Sequence, residues 1–179
     1  MKSLALKISM AVLSMIPLVA KAELIVLASP QSNDAYYAKM IDDIFDFHVD
    51  YAKKIIKNGD NVVVLTDKGL YPDYVKALGK KHVAIAPMHD IWMRDFTSAN
   101  PAQPVMFRYT AAGQGGAKKG QAISDEVQDE FKYYSQKAGL QFTQSKLLND
   151  GGNWVEDGYG NVVLSTKFLA DNKLTESEA

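Results

Sequence analysis

The 179-residue chain carries 20 Lys and Arg against 21 Asp and Glu, a formal charge of −1, with 47% hydrophobic residues and no cysteine. Its apolar and aromatic content suffices for a packed core, which excludes a disordered, collagen-like or coiled-coil chain, and its balanced charge gives no electrostatic footprint for nucleic acid. The missing cysteine excludes a disulfide scaffold, a Cys-ligated zinc site and a thiol nucleophile supplied by this chain.

At the N-terminus, Lys2 and Lys7 precede an apolar run from Ile8 to Ala20 that ends in Ala20-Lys21-Ala22, a small-x-small pattern. That is the layout of a secretory signal peptide, with a core too short for a comfortable membrane span. Residues 1–22 are therefore expected to be cleaved, leaving residues 23–179 as one domain of the ordinary size. Cleavage removes three lysines and no acid, so the mature product is acidic and is expected in the periplasm or outside the cell, with no further membrane span.

From there strands and helices alternate. Leu24 to Ala28 is a continuous apolar run bounded by Ser29-Pro30, the pattern of a buried strand. From Asp34 the period lengthens. Tyr37, Met40, Ile41, Ile44, Phe45, His48, Tyr51, Ala52 and Ile55 mark one helix face, with Ser32, Asn33 or Asp34 as cap and Asn58-Gly59 as stop. Asn61 to Thr66 is a second strand, Pro72 opens a short helix closed by Gly79, and His82 to Ala86 is a third strand. Val105 to Tyr109 makes a fourth. The glycine- and lysine-rich stretch Ala112 to Gly120 reads as a mobile loop, and Ser124 caps a helix that stops at Gly139. Gln141 to Leu148, Asn153 to Val155 and Asn161 to Ser165 close the chain as strands around an Asp157-Gly158 turn, while Asp171 to Ala179 reads as an unstructured polar tail. The alternation predicts an α/β layered fold.

His48 and His82 lie on apolar faces and read as packing residues, and Lys118 and Lys119 as a solvated loop. Two segments stand out. His89-Asp90-Ile91-Trp92-Met93-Arg94-Asp95 follows the C-terminal end of a strand, where open α/β folds place ligands. Its two carboxylates, guanidinium, imidazole and indole are expensive to bury without partners. One reading is a structural Arg94–carboxylate pair with Trp92 plugging the core. The other is a site for a flat cation, stacked on Trp92 and held by a carboxylate through paired N–H bonds. The second segment, Asn149-Asp150-Gly151-Gly152-Asn153-Trp154, has glycines that let backbone pass close to a neighbour and let Asp150 point out of a turn. Its spacing fits neither a calcium loop nor a dinucleotide fingerprint.

Asp90-Ile91-Trp92-Met93-Arg94-Asp95 resembles the D-x-W-x-R-D segment of the agmatine deiminase and bacterial-type peptidylarginine deiminase family. Asp150-Gly151-Gly152-Asn153, with Asp157-Gly158-x-Gly160 and Leu164-Ser165-Thr166, is similar to that family's acidic-Gly-Gly hairpin, and the two segments come in family order. The resemblance implies a partial pentein, an α/β propeller of which about two of five ββαβ-type units are present. It implies hydrolysis of a guanidinium to a ureido group plus ammonia, on peptidyl-arginine or on agmatine, the latter a step of putrescine biosynthesis, with no cofactor and no metal. Such chemistry uses carboxylates to hold the cation, a cysteine thiolate to attack its carbon and a histidine to shuttle protons.

By matching positions, Asp95 grips the guanidinium, Trp92 lines the pocket, and Asp90 and Arg94 support the turn by ion pairing. Asp150 stands where relatives carry a Glu that orients the histidine or touches the substrate, and so counts with Trp92 and Asp95 as substrate-binding; Arg108 and Tyr109 at strand 105–109 are weaker matches that could contact the rest of a ligand. The family's His-x-Asp pair and late nucleophilic Cys are absent, since His48, His82 and His89 all lie upstream of Asp150. No catalytic residue is therefore assigned. The chain is expected to be the N-terminal part of a deiminase, inactive alone and prone to self-association. The alternative is a non-catalytic exported protein that binds guanidines or arginine. A metal-dependent hydrolase using His89, Asp90 and Asp95 is a third reading, with a poor ligand set.

Overall fold

The computed structural model describes residues 22–97, 105–111, 117–157 and 159–178, so all but the last residue of the leader read at 1–22, and most of the glycine-rich stretch, lie outside the described residues. Three parallel strands form the first sheet in the order β1 (Leu24–Ala28), β2 (Asn61–Thr66), β3 (Val83–Ile85). They are linked by helices α1 (Ile41–Lys57) and α2 (Tyr71–Leu78), and the strands lie where the apolar runs put them, within a residue or two. Ile25 and Leu27 sit in register with Val62 and Val64, and this face packs under α1 and α2 through Ala52, Ile55, Tyr74 and Leu78. The opposite face is bare at Leu24 and Val26, so β1 is only half covered and not the fully buried strand its sequence suggests.

Helix α1 begins seven residues later than its periodicity implies. Asp34 does not cap it; its carboxylate accepts the amides of Tyr36 and Tyr37 and closes a separate turn, while Ser32 donates its hydroxyl to Asp67 at 2.5 Å. His48 and His82 are buried packing residues as read. Nδ1 of His48 meets the Tyr74 hydroxyl at 3.1 Å, with burial lowering its pKa to about 4, and Nδ1 of His82 meets the Val62 carbonyl at 3.0 Å.

After β3 the chain makes the one-turn helix α3 (Met93–Phe96) and then β4 (Val105–Tyr109), which pairs in parallel with β5 (Thr143–Asn149) across helix α4 (Ala117–Lys137). The loop expected through Gly120 is corrected here. Residues 117–120, including Lys118 and Lys119, are the first turn of α4, and Ser124 is inside the helix, its hydroxyl donating back to the Gly120 carbonyl and accepting the Ala111 amide. The strands β6 (Trp154–Glu156) and β7 (Val162–Leu164) form the expected antiparallel hairpin. The start of the expected polar tail is corrected: Asp171 and Asn172 end a short helix, α5 (Lys167–Asn172), whose Asn172 side chain bonds both the amide and the carbonyl of Leu148 on β5.

One apolar cluster joins the two parallel sheets. Ala28, Ala86, Met88, Phe96, Tyr109 and Val127 come from the ends of β1, β3 and β4 and from α3 and α4. At its centre Gln128 is 1% exposed, accepts the Tyr109 amide and donates to the carbonyls of Phe96 and Phe107. This fixes the C-terminal ends of the strands of both sheets around one spot.

Candidate functional site

Asp95 and Asp150 meet at that spot. Asp95 lies on α3, beyond the end of β3, and Asp150 is the residue immediately after β5. The turn Gly151–Asn153 lies directly against α3, and the glycines are there for that approach. A Cβ on Gly151 would fall 1.9 Å from the Arg94 carbonyl oxygen, and one on Gly152 would fall 3.0 Å from a carboxylate oxygen of Asp95. With no side chain in the way, the Gly152 amide reaches both acids: it donates to Asp150 at 2.9 Å and hydrogen-bonds Asp95.

Two carboxylates in contact with one amide are electrostatically unfavourable. Partial burial, then the charges of Asp150 and Asp90, push the Asp95 carboxyl up to about 6, with the Gly152 amide and Arg94 opposing. The neighbouring Tyr109 ring is buried beside Phe96, and its hydroxyl is pushed well above the ordinary phenol range by burial and by Asp95, Asp150 and Asp90. A site this rich in negative charge favours a cation. Trp92, the residue before α3, is 61% exposed and so offers an indole face on which a planar cation can stack.

Asp90 and Arg94 support the loop, but not as the ion pair expected of them. Asp90 accepts the Tyr37 hydroxyl at 2.9 Å and the Ile91 amide at 2.7 Å, which locks the β3–α3 loop to the segment after β1. Arg94 instead reaches across to the hairpin and donates to the Trp154 carbonyl at 2.6 Å. The Asp90 carboxylate is already engaged by the Tyr37 hydroxyl and the Ile91 amide, and the guanidinium finds its acceptor on β6 instead. Trp92 is likewise no core plug, being open to solvent. His89 turns away from both acids toward α4, where its Nε2 lies 3.5 Å from Glu130 and 3.8 Å from Glu126, so it does not join Asp90 and Asp95 in a ligand set.

Arg108 points to the other side of β4 and is held in a bidentate pair with Asp125 at 2.9 and 2.6 Å, engaged away from the acids. Two contributors escaped the sequence reading. Tyr37 read as a helix-face core residue, yet it is the donor that fixes Asp90. Gln128 was one polar residue in a helix; its burial follows only from the helix–strand packing.

Residues 14–177 match the family model of the Porphyromonas-type peptidyl-arginine deiminases. In three dimensions the chain is similar to the agmatine deiminase of C. jejuni, at 17% identity and a TM-score of 0.63 over 88% of this chain and 47% of that one. A protein described as a candidate peptidyl-arginine deiminase gives 19% identity and a TM-score of 0.63 over 88% and 49%. The agmatine deiminase of Enterococcus faecalis gives 15% identity and a TM-score of 0.58 over 88% and 46%. At these identities the likeness is one of fold, and the chain spans about half the length of the proteins it matches. No curated protein is significantly similar to it in sequence.

Proposed function

The chain belongs to the Porphyromonas-type peptidyl-arginine deiminase family and has the partial pentein α/β fold of those neighbours, and from that premise we propose that it forms the cation-holding half of a guanidinium-hydrolysing site. The observation that carries the reading is the meeting of Asp95 and Asp150 over the Gly152 amide, beside the exposed Trp92. A guanidinium donates pairs of parallel N–H bonds, which a carboxylate accepts in a fork, and a delocalised planar cation stacks on an indole. Asp95 takes the principal fork, Asp150 neutralises the far side of the cation, and Trp92 covers its face. The bound cation relieves the repulsion between the two acids, so binding and carboxylate ionisation reinforce each other.

The reaction adds water across the guanidinium carbon and expels ammonia, leaving a ureido group. The thiolate that attacks the carbon and the imidazole that moves the protons come from outside these 179 residues, which contain no cysteine and no histidine beyond His89. The apolar leader at residues 1–22 supports export and hence a substrate met outside the cytoplasm, peptidyl-arginine before agmatine; mass determination of the protein recovered from the periplasm tests the cleavage. A second reading, a guanidine-binding protein without catalysis, is favoured by that same missing thiol. Calorimetry on the full chain with agmatine and with a capped arginine amide tests the shared premise. We expect binding that weakens at least tenfold in Asp95→Asn, with no ureido product from the chain alone. Failure to bind either ligand removes both readings. A coding sequence downstream of Ala179 with His-x-Asp and a late Cys selects the enzyme; a stop with no such continuation selects the binder.

A further inference from the structure

The β3–α3 loop, which carries Trp92 and leads into Asp95, is gripped from two sides. His89 lies in it between Met88, which is 1% exposed in the cluster joining the two sheets, and Asp90. The Met88 carbonyl accepts the Gln31 side chain at 3.3 Å and Asp90 accepts the Tyr37 hydroxyl, so the segment after β1 holds one flank. Helix α4 holds the other. The Glu130 carboxylate accepts the main-chain amide of His89, and its Oε2 lies 3.5 Å from Nε2 of the imidazole. Glu126, one turn earlier, lies 3.8 Å from the same nitrogen.

Nothing within α4 neutralises this acid pair. Glutamates at i and i+4 repel, and the helix positions beside them hold Ala122, Ile123, Val127, Asp129, Tyr133 and Tyr134, none of them a base. Arg108 pairs with Asp125, Lys132 with Asp129, and Lys137 lies over the Tyr133 ring. The helix dipole does not reach them either, since both lie more than a turn from each end of Ala117–Lys137. Yet Glu130 is turned inward, and its Oε2 is buried and accepts no hydrogen bond. Burial raises its carboxyl above the ordinary range, the His89 ring and amide oppose that, and Glu126 adds to it. Tyr134, one turn on, is the further titratable group that feels its charge. A part-buried carboxylate with an idle oxygen is expensive. Its effect is a hold on the loop at the residue directly before Asp90.

We propose, resting on the guanidinium-binding role, that Glu130 is a positioning residue for that site: by gripping His89 at its amide and its ring it fixes the β3–α3 loop against α4 and so sets Trp92 and Asp95 opposite Asp150. Glu130 itself touches no ligand. With Asp90 pinned by Tyr37 on the other flank, the loop cannot swing α3 away from the Gly151–Asn153 turn. Glu126 shares the imidazole from an exposed position and is the lesser partner.

Two measurements on the full chain test this, one of them without ligand. The Asp95 titration is followed by carboxyl carbon NMR, and affinity for agmatine and for a capped arginine amide by calorimetry at neutral pH. Glu130→Leu cannot accept the amide. It should lower the Asp95 midpoint from about 6 by about half a pH unit or more, as the loop relaxes away from Asp150, and weaken binding about fivefold or more. Glu130→Gln keeps an acceptor for the amide and should restore most of both, whereas an effect of charge alone makes the Gln and Leu variants alike. His89→Lys, which keeps a cation at the ring position, should bind as the parent does, and His89→Ala more weakly; this pair decides the matter should Glu130→Leu fail to fold. A Glu130→Leu chain that loses stability yet keeps the parental midpoint and affinity overturns the proposal, and so do equal effects of Leu and Gln. A parent that binds neither compound fails the guanidinium reading itself. The ligand-free Asp95 midpoint then decides the clamp alone: moved by Leu and restored by Gln it stands, unmoved it falls.

Discussion

Asp95 holds its proton more tightly than an ordinary carboxyl, and the consequence runs in opposite directions for stability and for binding. Its folded value of about 6 lies above the unfolded carboxylate range. The folded state therefore binds the extra proton between about pH 4 and pH 6, and stability on this account is greatest below that window and declines as pH rises through it. Asp95→Asn should thus stabilise the protein at pH 7 by about 1 kcal/mol, after allowing for solvent screening of a half-buried group, measured by urea denaturation at pH 7 and again near pH 4, where the gain should vanish. Guanidinium binding needs the ionised form, so affinity should fall roughly tenfold per unit of pH below about 6, read by calorimetry across pH 5–8. Gly151→Ala should lose about 2 kcal/mol or more, because the new methyl meets the rigid Arg94 carbonyl and one of the two chain segments has to move. The sequence showed that these glycines serve a close approach. That the approaching group is the backbone of α3, fifty-odd residues away, emerges only from the packing of the two sheets.

At the level of elements, the strands were the readable part, since β1, β2 and β4 are apolar runs bounded by turn residues and apolar periodicity is a local property. The misreadings occurred where a polar side chain had two local options. Asp34 offered itself as a helix cap but made a turn of its own, delaying α1 to Ile41, and Ser124 offered itself as a cap but bonds back within an already formed helix. Helix α5 is only six residues long, too short for a clear period, and is held by tertiary contacts: Phe168 is buried against Phe107 and Asn172 bonds β5. Two substitutions test how elements support the acids. Tyr37→Phe removes the hydroxyl on Asp90 and should cost about 1 kcal/mol, together with a several-fold loss of guanidinium affinity, whereas a simple packing role leaves affinity untouched. Gln128→Leu strands the Tyr109 amide and two carbonyls in the core and should cost about 2–4 kcal/mol by thermal or urea unfolding.

At the scale of the whole molecule, apolar side chains remain open on several of the described surfaces, among them Leu24 and Val26 on the first sheet, Val155 opposite Val163 on the hairpin, and Phe47 and Tyr51 on the outer stripe of α1. The bare face of the first sheet was not legible in β1, which reads as a buried strand; it follows from which side of the sheet α1 and α2 cover. The seating of Gly151 on the Arg94 carbonyl has one more effect. Neither acid belongs to a unit that places it alone: Asp95 is carried by the β3–α3 segment and Asp150 by the far end of β5, and they become neighbours only when both have docked. Ligand capture is then a report on late assembly. During refolding from urea, helical signal should return first, and the capacity to quench Trp92 emission with a guanidinium compound should follow as a slower phase, limited by long-range closure rather than by any local step.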